Sequence, residues 1–182
     1  VLSPTLFTRY IRELIAAIVS SQIGCHIGLQ CINILAYADD MVLLTPAWCA
    51  MQQLLDILVE QIGLIDMTCN VNKTTCMIFS PKMRSHIVSN SFPQLKIGDD
   101  TVQYTKSFKY LGHIISPDLC DDDDILREVR NMFYRTNILL RKFNKCSVQV
   151  KKVLFSTYCL CMYDIALWSS YGNAVINKLK SC

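Results

Sequence analysis

Apolar residues recur along the chain at two different spacings. A spacing of three and four residues places apolar side chains on one face of a helix, and it predicts four helices, at residues 4–19, 46–62, 122–143 and 148–170. Shorter apolar runs bounded by turn residues predict a β-hairpin with strands 32–36 and 41–44. We therefore predict an α+β fold in which the first two helices pack on the same face of a sheet.

Further strands are predicted after the second helix. Residues 94–97 and 101–104 alternate polar and apolar around Gly98, which predicts a half-exposed hairpin. Residues 76–79 are uniformly apolar and predict a buried strand, and residues 107–115 predict a strand with a bend. The predicted strands thus end near residue 115, and the remainder of the chain is predicted to be helical.

Composition narrows the class of protein. The 182 residues are 52% hydrophobic, which is enough for a core. No apolar run approaches the ~20 residues of a membrane span, and no secretory signal is visible. We therefore expect an intracellular protein, nuclear or cytoplasmic, that does not enter a membrane. The ten cysteines are scattered without a Cys-x-x-Cys pair, which predicts free thiols rather than a disulfide framework or a zinc site.

Charge is distributed unevenly between the two parts of the chain. Residues 1–120 hold 8 Lys and Arg against 9 Asp and Glu, whereas residues 121–182 hold 10 against 6. Most acids of the second part form the run 121–124, which opens a predicted helix and complements its dipole. The basic remainder suits a polyanionic partner, although a solvated helix surface would carry the same charge.

The strands of the central hairpin flank two adjacent acids, Asp39 and Asp40. Apolar strands usually lie in a covered sheet, where an ionised carboxylate is costly unless a positive charge neutralises it. No Lys or Arg occurs between Arg12 and Lys73, so a hard divalent cation, Mg²⁺ or Mn²⁺, would answer that need. The alternative is that Asp is an ordinary turn residue, which is how we interpret the acidic pair after Gly98.

The residues around the central pair resemble those of a known family. Tyr37-Ala38-Asp39-Asp40 resembles the Tyr-X-Asp-Asp box of reverse transcriptases, and its surroundings resemble the non-LTR, LINE-like retrotransposon branch. Three other motifs follow the order found in that branch: Leu2-Ser3-Pro4-Thr5-Leu6-Phe7, Asn72-Lys73-Thr74 and Phe108-Lys109-Tyr110-Leu111-Gly112. The motifs cover residues 1–116, and the helices that follow occupy the position of the family's thumb.

The resemblance implies an RNA-directed DNA polymerase that works by two-metal nucleotidyl transfer with Mg²⁺ or Mn²⁺. Asp39 would be the principal metal ligand and Asp40 would assist. Tyr37 would lie beneath the primer terminus, and small Ala38 would let the nucleic acid approach. Lys73 would protonate the pyrophosphate or steer the triphosphate, although an exposed lysine at a strand start would look the same. The implied partners are an RNA template, a DNA primer, deoxynucleoside triphosphates and the remainder of the parent polymerase.

Further nucleic-acid contacts are implied in the second part of the chain. Tyr110, Leu111 and Gly112 resemble the primer-grip hairpin, which holds the 3′ end of the growing strand. Lys151 and Lys152, near the connection between the last two predicted helices, would follow the template–primer backbone. Aromatic and basic residues suit nucleic acid but also an ordinary packed hairpin, so both interpretations of that segment stay open.

The same resemblance divides the chain into a partial palm, residues 1–118, and a helical thumb-like region, residues 119–182. It places the family's other metal-binding aspartate on a strand before Val1. No acid in the sequence has an equivalent context, so we expect half a catalytic centre and negligible activity from this chain alone. Two alternatives stay open: a non-catalytic nucleic-acid-binding remnant of a retrotransposon polyprotein, and an inert relic of a decayed element.

Overall fold

The computed structural model describes residues 3–80, 89 and 91–181, and leaves the side chains of residues 3, 4, 163 and 164 undescribed. Helices and small sheets make an α+β fold. The chain divides into two compact units, described here one at a time: Val1–Cys76 with Ser89–Tyr104, and Met77–Val88 with Thr105–Cys182. A compact unit is not by itself a palm or a thumb, so the predicted division at residue 118 stays a prediction.

The first unit combines three helices with short strands. Its helices are α1 (Ser3–Tyr10), α2 (Arg12–Ser20) and α3 (Trp48–Leu64). Its strands are β1 (Cys25–Ile27), β2 (Gln30–Ile32), β3 (Ile34–Tyr37), β4 (Asp40–Leu43), β5 (Thr75–Cys76), β6 (Lys96–Ile97), β7 (Asp100–Thr101) and β8 (Gln103–Tyr104). The pairs β1–β2, β3–β4 and β6–β7 are antiparallel hairpins, and β5 pairs with β8 in parallel.

The core of the first unit is shared by α2, α3 and one face of the hairpin β3–β4. Its buried residues are Leu14, Ile18, Leu54, Leu55, Leu58, Leu95, Ile97 and Val102. Ile34, Met41 and Leu43 of the hairpin pack against this cluster. The helical members recur at intervals of three and four residues, so their burial follows the amphipathic pattern. The second half of the first predicted helix and the second predicted helix thus pack on the same face of the central hairpin, as the pattern predicts, whereas Leu6 and Tyr10 of α1 are exposed.

Three local predictions for residues 4–79 are wrong. The first predicted helix is interrupted at Ile11, which separates α1 from α2. Thr45-Pro46 is typical of a capped helix start, but the hydroxyl of Thr45 donates to the carbonyl of Ala47, the residue that precedes α3, and does not cap the helix. Only the start of the predicted buried strand 76–79 is a strand, and Phe79 is 41% exposed. A short apolar run does not by itself distinguish a strand from a packed loop.

The second unit joins a hairpin to a group of helices. Its strands are β9 (Phe108–Tyr110) and β10 (His113–Ile115), and its helices are α4 (Asp122–Lys142), α5 (Val148–Tyr158) and α6 (Asn173–Lys180), with a 3₁₀ helix at Tyr163–Leu167. α4 confirms the third predicted helix, and Ser147 caps α5 by accepting a hydrogen bond from the backbone N–H of Val150. No helix among the described residues has both the length and the hydropathy of a membrane span.

The fourth predicted helix is wrong beyond Tyr158, where α5 ends. The chain bends instead, and this bend brings Trp168 against the start of α4, where its indole N–H donates to a buried carboxylate. If α5 continued as a straight helix, Trp168 would not lie against the start of α4. Ile165, which the helical spacing of residues 148–170 would place on the inward face, is 54% exposed as a result.

Asp124, in the first turn of α4, is fully buried and joins three elements. Its carboxylate accepts hydrogen bonds of 2.9 Å from the backbone N–H of Ile114, from Arg127 Nε and from Trp168 Nε1. His113 Nδ1 lies 3.0 Å from Asp124 Oδ2, at ion-pair distance but without the direction of a hydrogen bond. One carboxylate therefore ties together β10, α4 and the segment that precedes α6.

The neighbouring acids bind the same segment. Asp121 Oδ2 accepts hydrogen bonds from the backbone N–H groups of Ser169 and Ser170, at 2.7 and 2.8 Å. Asp122 Oδ1 accepts one from the backbone N–H of Gly172 at 2.7 Å. The acidic run opens α4, as the helix-dipole argument predicts, but it also fixes the path of residues 168–172.

Burial would raise the pKa of Asp124, but hydrogen bonds from Trp168, the Ile114 N–H and Arg127, with the attraction of His113, outweigh it and lower the pKa below 3.8. A carboxyl group whose pKa is lowered by folding stabilises the folded state above its unfolded pKa. That stabilisation is lost as the pH falls from the unfolded value toward the lower folded value.

All four hairpins among the described residues close with a two-residue loop whose first residue has a positive φ. That residue is Gly28 (+62°) in β1–β2, Ala38 (+53°) in β3–β4, Gly98 (+61°) in β6–β7 and Leu111 (+48°) in β9–β10. Two-residue loops of this sign match the twist of the flanking strands. Gly adopts a positive φ freely, whereas the conformation costs residues such as Ala and Leu about 1–2 kcal/mol.

We expect Ala38→Gly to stabilise the chain by about 0.5–1 kcal/mol, because Gly relieves the positive φ. Gly98→Ala is the reciprocal control and should destabilise the chain. A Cβ at Gly98 would meet no atom within 4 Å, so the loss would come only from the φ of +61°, which Ala adopts at a cost. Urea unfolding followed by circular dichroism measures both changes. A loss of stability in Ala38→Gly would show that the loop at Ala38 is not strained.

We expect Asp124→Asn to cost about 3–5 kcal/mol, because it removes one charge from a buried, hydrogen-bonded group. The wild-type chain should also lose stability as the pH falls below 3.8, the usual pKa of the carboxyl group, and Asp124→Asn should lack that part of the acid dependence. Asp123→Asn, at an exposed position of the same turn, is the control and should change stability little. Urea midpoints measured from neutral to acid pH test this, and equal costs for the two variants would contradict it.

Candidate functional site

The predicted metal-binding pair lies at the tip of the hairpin β3–β4. The register pairs Tyr37 with Asp40, so Ala38 and Asp39 form the two-residue loop. Residues opposite each other in an antiparallel pair point to the same face. Tyr37 and Asp40 therefore share the outer face of the hairpin, whereas Met41 packs on the core from the inner face.

Both carboxylates are exposed, and Tyr37 on the same tip is 63% exposed. The expectation that Asp39 and Asp40 lie in a covered sheet is wrong, because β3 and β4 pair only with each other among the described residues and their outer face is open. Water can solvate both carboxylates there, so the cost of burying a charge does not demand a cation. A metal site at this tip must therefore be argued from the ligands that the carboxylate oxygens of Asp39 and Asp40 provide.

The tip offers hard oxygen ligands that are not otherwise engaged. In the part of the chain that the structure describes, neither Asp39 nor Asp40 has a side-chain hydrogen bond or ion pair. Carboxylate oxygens are the ligands that Mg²⁺ and Mn²⁺ prefer. The described residues hold no group of three or more His, Cys, Asp and Glu side chains that could bind a metal ion. The pair thus fits part of a metal site, and further ligands would have to complete it.

Lys73 belongs to the same unit as the acidic pair and is exposed. It lies in a turn just before β5, where its backbone N–H donates to the carbonyl of Asn70 at 3.0 Å. Thr74 closes the same turn, because its hydroxyl donates to that carbonyl at 2.9 Å. The turn fixes the backbone of Lys73, and the described hydrogen bonds and ion pairs do not join its side chain to Asp39 or Asp40. Its role toward a triphosphate stays a prediction.

The hairpin β9–β10 displays its loop to solvent in the second unit. Tyr110 pairs with His113, so Leu111 and Gly112 form the loop, with φ values of +48° and +99°. A bulky residue such as Leu is rarely found at positive φ. Leu111 is 46% exposed and Phe108, at the base, is 38% exposed. Phe108 is therefore only partly covered by its neighbours, and the contacts of the loop with nucleic acid stay a prediction.

Lys151 and Lys152 border a groove of about 380 Å³ between α4 and α5. The groove is lined by Thr136, Leu139, Leu140, Val148, Lys151, Lys152, Phe155 and Ser156. Lys151 Nζ donates to the carbonyl of Asn144 at 2.9 Å, which ties α5 to the end of α4. No acidic residue occurs between Glu128 and Asp164, so every charged side chain in this stretch is positive.

The candidate residues fall into the two units. The first unit holds Tyr37, Ala38, Asp39, Asp40 and Lys73, and the second holds Tyr110, Leu111, Gly112, Lys151 and Lys152. Among these, only Tyr37, Ala38, Asp39 and Asp40 share one hairpin tip in the first unit, and Tyr110, Leu111 and Gly112 share one in the second. Within each unit the structure thus brings together one short motif.

The buried charged group at the start of α4 was not predicted from the sequence. Asp121, Asp124 and Glu128 are buried at 8%, 0% and 3% exposure. The helix dipole favours any acid in the first turn of a helix, so it does not distinguish the buried acids from the exposed ones. The helical period could have predicted their burial, because these positions lie on the same face of α4 as the buried Ile125 and Val129.

Comparison with known proteins gives one match. The model of a family described as reverse transcriptase (RNA-dependent DNA polymerase) matches residues 1–115. A search of curated proteins gives no match, and neither does a search of solved structures. The matched range includes the tip of β3–β4, Lys73 and the whole hairpin β9–β10, whereas α4, α5 and α6 lie beyond it. The match covers more than half of the chain, and the chain therefore belongs to the reverse transcriptase (RNA-dependent DNA polymerase) family.

Proposed function

We propose that this chain is part of an RNA-directed DNA polymerase of the non-LTR, LINE-like retrotransposon branch, and that the tip of β3–β4 is its catalytic hairpin. The observation that carries the proposal is the box Tyr37-Ala38-Asp39-Asp40 at a solvent-exposed turn, with both carboxylates unengaged. Residues 1–118 would form part of a palm, and residues 119–182 a thumb-like region. The substrates would be an RNA template, a DNA primer and deoxynucleoside triphosphates.

The chain's own residues would prepare the tip for phosphate chemistry. Asp39 and Asp40 would hold Mg²⁺ or Mn²⁺, which when bound supplies Lewis-acid stabilisation of negative charge on phosphate oxygens. Tyr37, on the same face as Asp40, would support the primer terminus, and the small side chain of Ala38 leaves room for the nucleic acid. Lys73 would place a positive charge near the triphosphate. Two carboxylates without a cation would repel phosphates, so binding of nucleotide should require the divalent ion.

The backbone of the loop supports a functional role for the tip. Ala38 has a φ of +53°, in a region that non-glycine residues rarely occupy. Such residues cluster at active sites and ligand clamps, where the strain is part of the function. The hairpin β6–β7 provides the comparison within the same unit, because its loop has Gly98 at the equivalent position and no catalytic role is proposed for it. Strain is thus found at the acidic pair to which we assign chemistry.

Two adjacent carboxylates supply only part of the ligand set that a two-metal centre needs. Mg²⁺ demands near-octahedral coordination by oxygen, so the remaining ligands would come from nucleotide phosphates, water and another acidic strand. The resemblance to non-LTR enzymes assigns that strand to a different segment of the parent polymerase. We therefore propose that the 182-residue chain is inactive as a polymerase by itself and acts with the remainder of its parent.

A second candidate function is nucleic-acid binding without chemistry, by a remnant of a retrotransposon polyprotein. The observation that favours it is the groove bordered by Lys151 and Lys152, in a stretch with no acidic residue between Glu128 and Asp164. Such a surface binds the phosphate backbone with strong salt dependence and little sequence preference. Under this alternative Asp39 would be dispensable in every context, including the complete parent.

We expect purified wild-type chain to extend a DNA primer on an RNA template at background level with Mg²⁺ or Mn²⁺. Addition of the remaining polymerase segment of the parent should give extension that Asp39→Asn lowers by about 10²-fold or more, since a lost metal ligand removes several kcal/mol of transition-state stabilisation. Asp99→Asn is the matched control, because Asp99 is also the second loop residue of a two-residue hairpin in this unit, and it should leave the rate unchanged.

Two results of this assay would contradict the proposal. Strong Asp39-dependent extension by the isolated chain would show that it holds a complete centre. Unchanged activity of Asp39→Asn in the reconstituted polymerase would remove the catalytic hairpin and favour the binding remnant.

We expect the chain to bind a primer–template duplex with an affinity that falls as salt rises. Lys151→Glu with Lys152→Glu should weaken binding about tenfold or more and lower the salt slope by about 1 for each lysine that contacts a phosphate. Asp39→Asn should still bind. Fluorescence anisotropy at several salt concentrations measures this. Lys96 is an exposed residue of β6, and Lys96→Glu controls for the change in net charge. If Lys96→Glu lowers the affinity as much as each of the two other substitutions, the chain has no specific basic surface.

A further inference from the structure

The strand β10 is held at its centre by the start of α4. Asp124 Oδ1 accepts a 2.9 Å hydrogen bond from the backbone N–H of Ile114. The preceding residue, His113, places Nδ1 3.0 Å from Asp124 Oδ2 and Nε2 3.5 Å from Asp121 Oδ1. The backbone of β10 is therefore hydrogen-bonded to the first turn of α4, and its His113 side chain lies within ion-pair distance of two acids there.

The carboxylate that holds β10 is itself fixed on its remaining sides. Trp168 Nε1 donates to Asp124 Oδ2 at 2.9 Å, and Arg127 Nη2 lies 2.7 Å from Asp124 Oδ1. Asp124 is fully buried and Trp168 is 9% exposed. Charge-assisted hydrogen bonds away from water are short and directional. The position of Asp124, and with it the position of β10, is thus determined by contacts from three parts of the unit.

The hairpin β9–β10 needs such support from outside. Each strand has three residues, and within the described part of the chain the two pair only with each other. An isolated two-stranded hairpin is at best marginally stable. This one also carries Leu111 at a φ of +48°, and a residue in that region persists only when its surroundings hold it there. The hydrogen bond to Ile114 acts two residues after the loop, on the strand that leaves it.

The loop so held presents side chains that suit nucleic acid. Leu111 is 46% exposed and Phe108 is 38% exposed, and Lys109 between them is exposed as well. Apolar and aromatic groups contact bases, and a lysine contacts phosphate. We infer that Asp124, with His113 and Trp168, is a positioning set that holds the loop of β9–β10 in the conformation that binds the primer–template. The inference rests on the proposed function, which assigns nucleic-acid contacts to Tyr110, Leu111 and Gly112.

This arrangement has a measurable consequence for binding. A loop that is already ordered before binding does not lose conformational freedom when the duplex arrives, so its contacts contribute fully to affinity. When Asp124 no longer holds β10, the loop must be ordered at the moment of binding, and the contacts of Leu111 contribute less. The effects of altering Asp124 and Leu111 should therefore depend on each other.

The test is a double-mutant cycle on the affinity of the 182-residue chain for a fluorescent DNA primer annealed to an RNA template. Leu111→Ala should weaken binding by the wild-type chain about 5- to 10-fold. Asp124→Asn should weaken it as well, and Leu111→Ala added to Asp124→Asn should cause little further loss, which is the coupling expected of residues that act together. Circular dichroism should confirm that each variant is folded. If Asp124 contributes to stability alone, Leu111→Ala should then weaken binding by the same factor in Asp124→Asn as in the wild-type chain.

Asp122→Asn is the matched control for the cycle. Asp122 lies in the same turn of α4 and holds Gly172 through a 2.7 Å hydrogen bond, but its described hydrogen bonds do not reach β10. The effect of Leu111→Ala should persist in Asp122→Asn. Should Asp124→Asn fail to fold, Trp168→Phe takes its place, because it keeps an aromatic ring and removes only the indole donor to Asp124.

Hydrogen exchange gives a second readout that does not use nucleic acid. The amides of residues 108–115 should exchange faster in Asp124→Asn or Trp168→Phe than in the wild-type chain, and Asp122→Asn should leave them unchanged. Multiplicative effects on affinity, or unaltered exchange of the hairpin, would overturn the inference and leave the proposed function standing. If the wild-type chain does not bind the duplex at all, both the inference and the nucleic-acid part of the proposed function are overturned.

Discussion

The two-residue loop is the constraint on which the strand-bearing parts of this protein depend. Short strands can pair only if the turn between them matches their right-handed twist, and that turn requires a positive φ at its first residue. Gly28 and Gly98 satisfy the requirement without strain, whereas Ala38 and Leu111 satisfy it at a cost. The two strained loops are those that the family resemblance associates with catalysis and with the primer. Among the four hairpin loops, strain and proposed function therefore coincide, although Gln22, Asp66 and Leu119 also have a positive φ outside any hairpin loop.

The second unit shows how polar contacts substitute for a large apolar core. Among its described residues, Met132, Leu139 and Cys159 form one small buried apolar cluster, and the buried Ile125, Val129 and Trp168 lie beside the charged group at the start of α4. Around Asp124 a network of hydrogen bonds and ion pairs joins helix, hairpin and the segment before α6. Such a network specifies one arrangement because each donor must meet its acceptor, but losing one partner leaves a buried charge unbalanced. The unit thus gains a defined geometry and a sensitivity to acid from the same group.

The sequence predicted much of this fold because the informative signals were local. Paired apolar runs around Asp39 located the central hairpin, Gly98 located another, and an amphipathic period located α4. Exposure could not be predicted in the same way, since an apolar strand does not reveal whether a second layer covers it. The end of α5 at Tyr158 also escaped prediction, because it depends on a contact between Trp168 and Asp124 across 44 positions of sequence. The motif order located the family, while the geometry of the acidic pair required the structure.

The hydrogen bonds that close the second unit have a consequence for how the protein is made. Asp121, Asp122 and Asp124 each accept a hydrogen bond from a residue 44 to 50 positions later in the chain. On the ribosome the start of α4 therefore emerges well before the residues that complete its contacts. Until Gly172 has left the exit tunnel, these long-range hydrogen bonds are incomplete, and the nascent unit stays open to chaperones and proteases.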